Sequence, residues 1–125
     1  MAQITVKKNK KLDLTTITVV GRVSASEISN VIAEHNQQHV TKLALWDLTQ
    51  ASLEMLTPNE VYNIVMAANE FVDLRKGGKT AIVTPNDAEF NLSKVYDSVQ
   101  QAAQTFVTHK TFRDKDSATD WLMRQ

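Results

Sequence analysis

KLALWDLTQASLEMLTPNEVYNIVMAANEFVDLR, residues 42–75, decides the fold. Its first seven residues carry apolar side chains on both period-two faces: Leu43 and Leu45 on one, Ala44, Trp46 and Leu48 on the other. That is the pattern of a strand covered on both sides, which belongs at the centre of a sheet. A crossing loop follows, then a helix start in which Thr57 caps, Pro58 takes the first helical position and Glu60 completes a T-x-x-E capping box. The spacing predicts a helix to about residue 75, with Val61, Ile64, Val65, Ala68 and Val72 as its apolar stripe.

The flanking segments fit around this unit. Upstream, Ile4–Val6 and Leu12–Val20 read as a β-hairpin about a polar break, and Lys7, Lys8, Lys10 and Lys11 read as solvated turn residues with no ligand. Ser24 to Glu27 forms a second capping box, opening a helix with Ile28, Val31 and Ile32 on one face. His35 and His39 continue that stripe. An H-x-x-x-H pair needs a third ligand to hold zinc, and with no cysteine and only His109 elsewhere no metal site is expected.

Downstream, Gly77-Gly78 stops the helix and Lys79–Thr84 forms a strand, which implies a right-handed parallel crossover. Asn86 and Asp87 start a further helix with Phe90, Val95 and Val99 on its apolar side. Phe106–Phe112 is a polar strand suited to a sheet edge, and Asp116 or Ser117 caps a last helix in which Ala118, Trp121 and Leu122 share a face. The expected architecture is a single α/β domain over residues 1–125. It has a mixed, mostly parallel five-stranded sheet, its first strand antiparallel, with about four helices.

Composition narrows the function. Lys plus Arg and Asp plus Glu are equal at 14 each, so no global field gathers nucleic acid. Disulfides, thiolate metal sites and cysteine nucleophiles are excluded, and no apolar run approaches the roughly 20 residues that cross a bilayer. A cytoplasmic protein without a transmembrane segment is expected.

The element order, together with WDLTQAS (46–52), GGKTAIVTPNDAEFNLSKVY (77–96) and TFRDKDSATDWL (111–122), resembles the SpoIIAA-like branch of the STAS/SEC14-like superfamily over nearly the whole chain. The resemblance implies a regulatory module of bacterial type that works by protein contact. In the anti-sigma-factor antagonists of that superfamily the loop after the central strand reads approximately D-L-S-x-V-x-x-M-D-S-S-G, and a serine at the helix start is phosphorylated to switch partners. Asp47 and Thr49 match that pattern. Leu56 stands in place of the phosphorylated serine, Met55 in place of the acidic residue and Pro58 in place of the glycine. Thr57 matches the second hydroxyl and is the candidate phosphorylation site.

Ligands of open parallel sheets bind at the carboxyl ends of the strands, where this chain collects Asp47, Thr49, Thr57, Asn59, Thr84, Asn86 and Asp87. No P-loop, G-x-G-x-x-G, nucleophile elbow or Ser/His/Asp set accompanies them, so no catalytic residue and no cofactor is assigned. A second candidate surface is apolar: Met55, Leu56, Tyr62, Met66 and Phe71 lie in the crossing loop or off the helical stripe. The leading expectation is a non-enzymatic module contacting a protein partner or a second copy through this surface. The alternatives are a carrier of a small apolar or lipid-like ligand held beneath the helices, and an enzyme using Asp47 with Thr49 or Thr57.

Overall fold

Alternation of buried and exposed side chains dictates the strands, and two reciprocal caps start the first two helices. The structure, a computed structural model, describes residues 2–37, 40–69, 75, 77–84 and 107–124. In chain order it contains β1 (Gln3–Asn9), β2 (Leu14–Arg22), α1 (Ala25–Gln37), β3 (Leu43–Ser52), α2 (Pro58–Asn69), β4 (Lys79–Val83), β5 (Thr108–Phe112) and α3 (Lys115–Met123). The strands form one sheet in the order β1-β2-β3-β4-β5; β1 pairs antiparallel with β2 and every other pair is parallel. The mixed sheet with an antiparallel first strand is therefore as expected. Three helices stand among the described residues. The helix expected from Asn86, and His39, Phe71, Val72 and Phe106, lie outside them.

Both faces of β3 are buried. Leu45 packs with Leu14, Ala81, Val83, Ala118 and Leu122 under α3, whereas Leu48 packs with Ile17, Val19, Ile32, Ile64 and Ile82 under α1 and α2. Trp121 lies over the α3 side as a lid, its ring 5.5 Å from that of Phe112.

Three boundaries and the burial of one strand differ from expectation. The hairpin turn is Lys10–Asp13, so Lys7 and Lys8 belong to β1, and Asp13 takes a positive φ of 53° that a short polar side chain tolerates. β3 runs on to Ser52, because its last three residues pair with Val20, Gly21 and Arg22. Asp114 caps α3 in place of Asp116 or Ser117, accepting from the Ser117 amide at 2.7 Å. In β5, which is an edge strand as expected, His109 and Thr111 are buried, since they sit opposite Thr80 and Ile82 on the helix-covered face.

The amino ends of the parallel strands form a lower edge closed by polar contacts. The Lys42 carbonyl accepts from the Lys79 amide at 3.0 Å and from Arg75 Nη2 at 3.1 Å. Arg75 also donates to the Thr41 and Lys79 carbonyls and to Thr80 Oγ1, satisfying strand-start acceptors that a helix–strand connection would otherwise bury unpaired. Thr15 and Thr41 share a buried hydroxyl contact of 2.7 Å. The two glycines before β4 serve different ends. Gly77 has φ +84° with open space around it, whereas a Cβ on Gly78 would collide with the Lys42 carbonyl oxygen.

That distinction sets an expected order of stabilities. Gly77→Ala should lose about 1 kcal/mol through its left-handed backbone. Gly78→Ala should lose more, about 2–3 kcal/mol, because backbone must move. Urea unfolding of the two variants checks the order.

Candidate functional site

At the upper edge, where the parallel strands end, β3 carries one extra residue: Thr18 pairs with Asp47 but Val20 pairs with Gln50. Such a bulge shifts the alternation by one. Ala44, Trp46 and Leu48 face α1 and α2 before it; Ala51 and Leu53 take over that face after it. The bulge is held by Asp47, whose Oδ1 accepts from the Thr49 amide at 3.1 Å and from Thr49 Oγ1 at 2.7 Å. Its Oδ2 lies 3.9 Å from Lys115 Nζ at the start of α3. Asp47 thus fixes a loop and the mouth of α3, the ordinary work of a carboxylate at a strand end.

The sequence-derived site residues divide between the two sides of the sheet. Asp47 lies on the α3 side. The loop and helix bearing Met55, Leu56, Thr57, Asn59, Tyr62 and Met66 lie on the other. Thr84 is fully buried at the end of β4, with no hydrogen-bond partner for its hydroxyl. Asn86, Asp87 and Phe71 lie outside the described residues. No group of three His, Cys, Asp or Glu side chains able to hold a metal occurs among the described residues.

On the α2 side the capping box is reciprocal: Thr57 Oγ1 accepts from the Glu60 amide at 3.2 Å and Glu60 Oε1 accepts from the Thr57 amide at 3.1 Å. The same arrangement joins Ser24 and Glu27 at α1, where the Ser24 amide and hydroxyl hold the Glu27 carboxyl below its usual pKa. Val61 and Ile64 turn inward from α2, while Tyr62 and Met66, one turn apart, are 52% and 49% exposed. Met55 in the lead-in loop is 49% exposed, and Asn59 and Thr57 are also exposed. Leu56 departs from this set. It turns inward and, with Ile28, Ile32, Trp46 and Ile64, lines a cavity of about 60 Å³ between the helices and the sheet. The loop itself is tied to β2 by Arg22, whose Nε lies 2.7 Å from Glu54 Oε1.

His109 is the titratable group that sequence patterning misplaced. Burial, and then the Arg75 guanidinium, push its pKa down to about 4, while Nδ1 contacts the Val107 carbonyl at 3.0 Å. Only its register opposite Thr80 reveals it as interior.

The geometry can be compared with solved structures. An uncharacterized protein of the DUF3478 family with a SpoIIAA-like fold, from Shewanella loihica PV-4, matches with a TM-score of 0.54 at 19% identity, over 97% of this chain and 93% of its own. The chain has a SpoIIAA-like fold. An anti-sigma factor antagonist from Mycobacterium paratuberculosis shares it, with a TM-score of 0.56 at 14% identity over 99% of this chain and 96% of its own. No family model and no curated protein sequence matches. No helix among the described residues is long and apolar enough to cross a membrane. Within the SpoIIAA-like fold, the upper edge of this chain presents a loop whose hydroxyl is engaged in a cap and a helix that exposes Tyr62 and Met66 beside Asn59 and Asn63.

His109 generates a pH dependence. With a folded pKa of about 4 against an unfolded value of 6.5, the unfolded chain binds more protons between those limits. The stabilisation is therefore complete above pH 6.5 and is lost as pH falls towards 4. Between pH 7 and pH 5 the loss should be about 2 kcal/mol. Urea titrations at both pH values should show this fall in the parent chain and a much smaller one in His109→Gln.

Proposed function

We propose that this chain is a non-enzymatic regulatory module that works by protein contact, through the face formed by Met55, Asn59, Tyr62 and Met66. The observation that carries the proposal is the exposure of three large apolar side chains at one end of α2 and its lead-in loop. Side chains of this kind are enriched at interfaces, where the tyrosine ring supplies rigid contact area and the flexible thioethers adapt to the partner's surface. The shared fold with an anti-sigma factor antagonist supports a regulatory role. A cytoplasmic setting, and a partner that is either another protein or a second copy, belong to the same proposal.

Covalent switching is less well suited to this loop. The Thr57 hydroxyl is 3.2 Å from Glu60 Oε1, so a phosphate there would meet a carboxylate and displace the capping box. Leu56 offers no hydroxyl and lines the cavity instead. Catalysis through Asp47 has a comparable difficulty, since its carboxylate is committed to Thr49 and faces Lys115.

The carrier alternative has one observation behind it, the cavity beneath α2. At about 60 Å³ it is smaller than the roughly 150 Å³ that admits benzene, so a lipid-sized molecule would require α1 and α2 to separate.

The proposal predicts that Met55→Glu, Tyr62→Glu and Met66→Glu together leave thermal stability within about 1 kcal/mol, since all three positions are exposed. The same triple variant should weaken the complex with a purified partner, or with a second copy, at least tenfold in a titration. Equal complex formation by parent and variant would rule out this face. Native mass spectrometry of protein from its own source separates the alternative: a noncovalent small-molecule adduct supports carriage, a protein complex supports contact.

A further inference from the structure

Among the described residues, charge is sorted along the strand axis. The four parallel strands run the same way, so their amino ends and the turn leading into β2 form one edge, and their carboxyl ends the other. A chain of contacts makes the lower edge continuous. Asp13 Oδ2 accepts from the Lys42 amide, the Lys42 carbonyl accepts from Lys79 and Arg75, and Lys79 Nζ donates to the Trp121 and Arg124 carbonyls at the end of α3. Along this line Lys10, Lys11, Lys42 and Arg124 are exposed. Asp13, Glu34 and Asp120 are the acids on that side among the described residues. Arg75 and Lys79 add positive charge from within.

The upper edge has the opposite sign. Asp47, Glu54, Glu60, Asp114 and Asp116 gather around the end of β3 and the starts of α2 and α3. Of the cations there, Arg22 pairs with Glu54 and Lys115 faces Asp47, while Arg113 completes the set. Each edge also exposes large apolar side chains, Leu12 at 43% and Met123 at 41% below and Met55 at 49% above. With no net charge on the whole chain, copies do not repel one another globally, and each molecule carries both halves of a complementary pair.

We propose that the lower, basic edge of one molecule docks the upper, acidic edge of a second copy, head to tail, with Leu12 brought near Met55. The contact is heterologous, so copies can add in series. It is distinct from the α2 outer face, sharing only Met55 with it, and does not depend on that reading.

The test is sedimentation velocity of the full chain at about 20 mM and about 300 mM salt, where screening differs most. Weight-average mass should at least double at the lower salt and return to that of the smaller species at the higher. Lys10→Glu, Lys11→Glu and Lys42→Glu combined should abolish the increase, as should Glu54→Lys with Asp116→Lys. An equimolar mixture of these two variants should regain it, because one now has two acidic edges and the other two basic ones. Circular dichroism verifies that both variants are folded, and either one alone tests the contact if the other is not. Mass independent of salt in the parent chain, association surviving either reversal, or a mixture of folded variants that stays apart would each overturn the proposal.

Discussion

The Lys42 carbonyl is the acceptor on which the lower half of the molecule converges. Strand β4 donates to it through Lys79, Arg75 donates to it through its guanidinium, and Gly78 lies so close that no side chain fits between. A carbonyl oxygen accepts two donors readily, but only if both arrive from the right directions. Gly78 permits the approach and Arg75 fills the remaining valence. The position of β4 beside β3, and with it the two-sided burial of β3, follows from that local fit. His109 and Thr80 lie near the same guanidinium, which adds to burial in keeping the histidine neutral.

What could be read from the chain follows the range of the interactions concerned. The boxes at Ser24–Glu27 and Thr57–Glu60 were legible because their partners are three residues apart, and the covering of β3 was legible because both periodicities are written in seven residues. The length of β3 was not, since the bulge that prolongs it depends on register with β2. The cap of α3 was ambiguous locally: Asp114, Asp116 and Ser117 all suit the role. The choice falls to Asp114 because it is extended, with φ −139° and ψ 155°, immediately after β5. A polar β5 suggested an open edge, yet half of its polar side chains are interior because the neighbouring strand sets which face they take.

The candidate site was partly legible for the same reason. Tyr62 and Met66 fall off the inward stripe of α2, so their exposure follows from helical spacing alone. Leu56 precedes the helix, where no periodicity operates, and its inward turn depends on the space left by Ile28, Ile32 and Ile64. Asp47 and Thr49 belong together as expected, but the sheet stands between them and the apolar surface. The upper edge therefore offers a polar clasp on one side and exposed apolar side chains on the other, instead of one convergent pocket.

The spatial order of the strands is the order in which they are made. During synthesis each new strand can join the edge left by its predecessor, with no gap held open for a later arrival. The β1–β2 hairpin, local in sequence, supplies the first template. Each later strand is added on the growing side, with α1 between β2 and β3 and α2 between β3 and β4. Tethered to the ribosome, the emerging chain then grows at one edge only, with β1 as the other edge throughout.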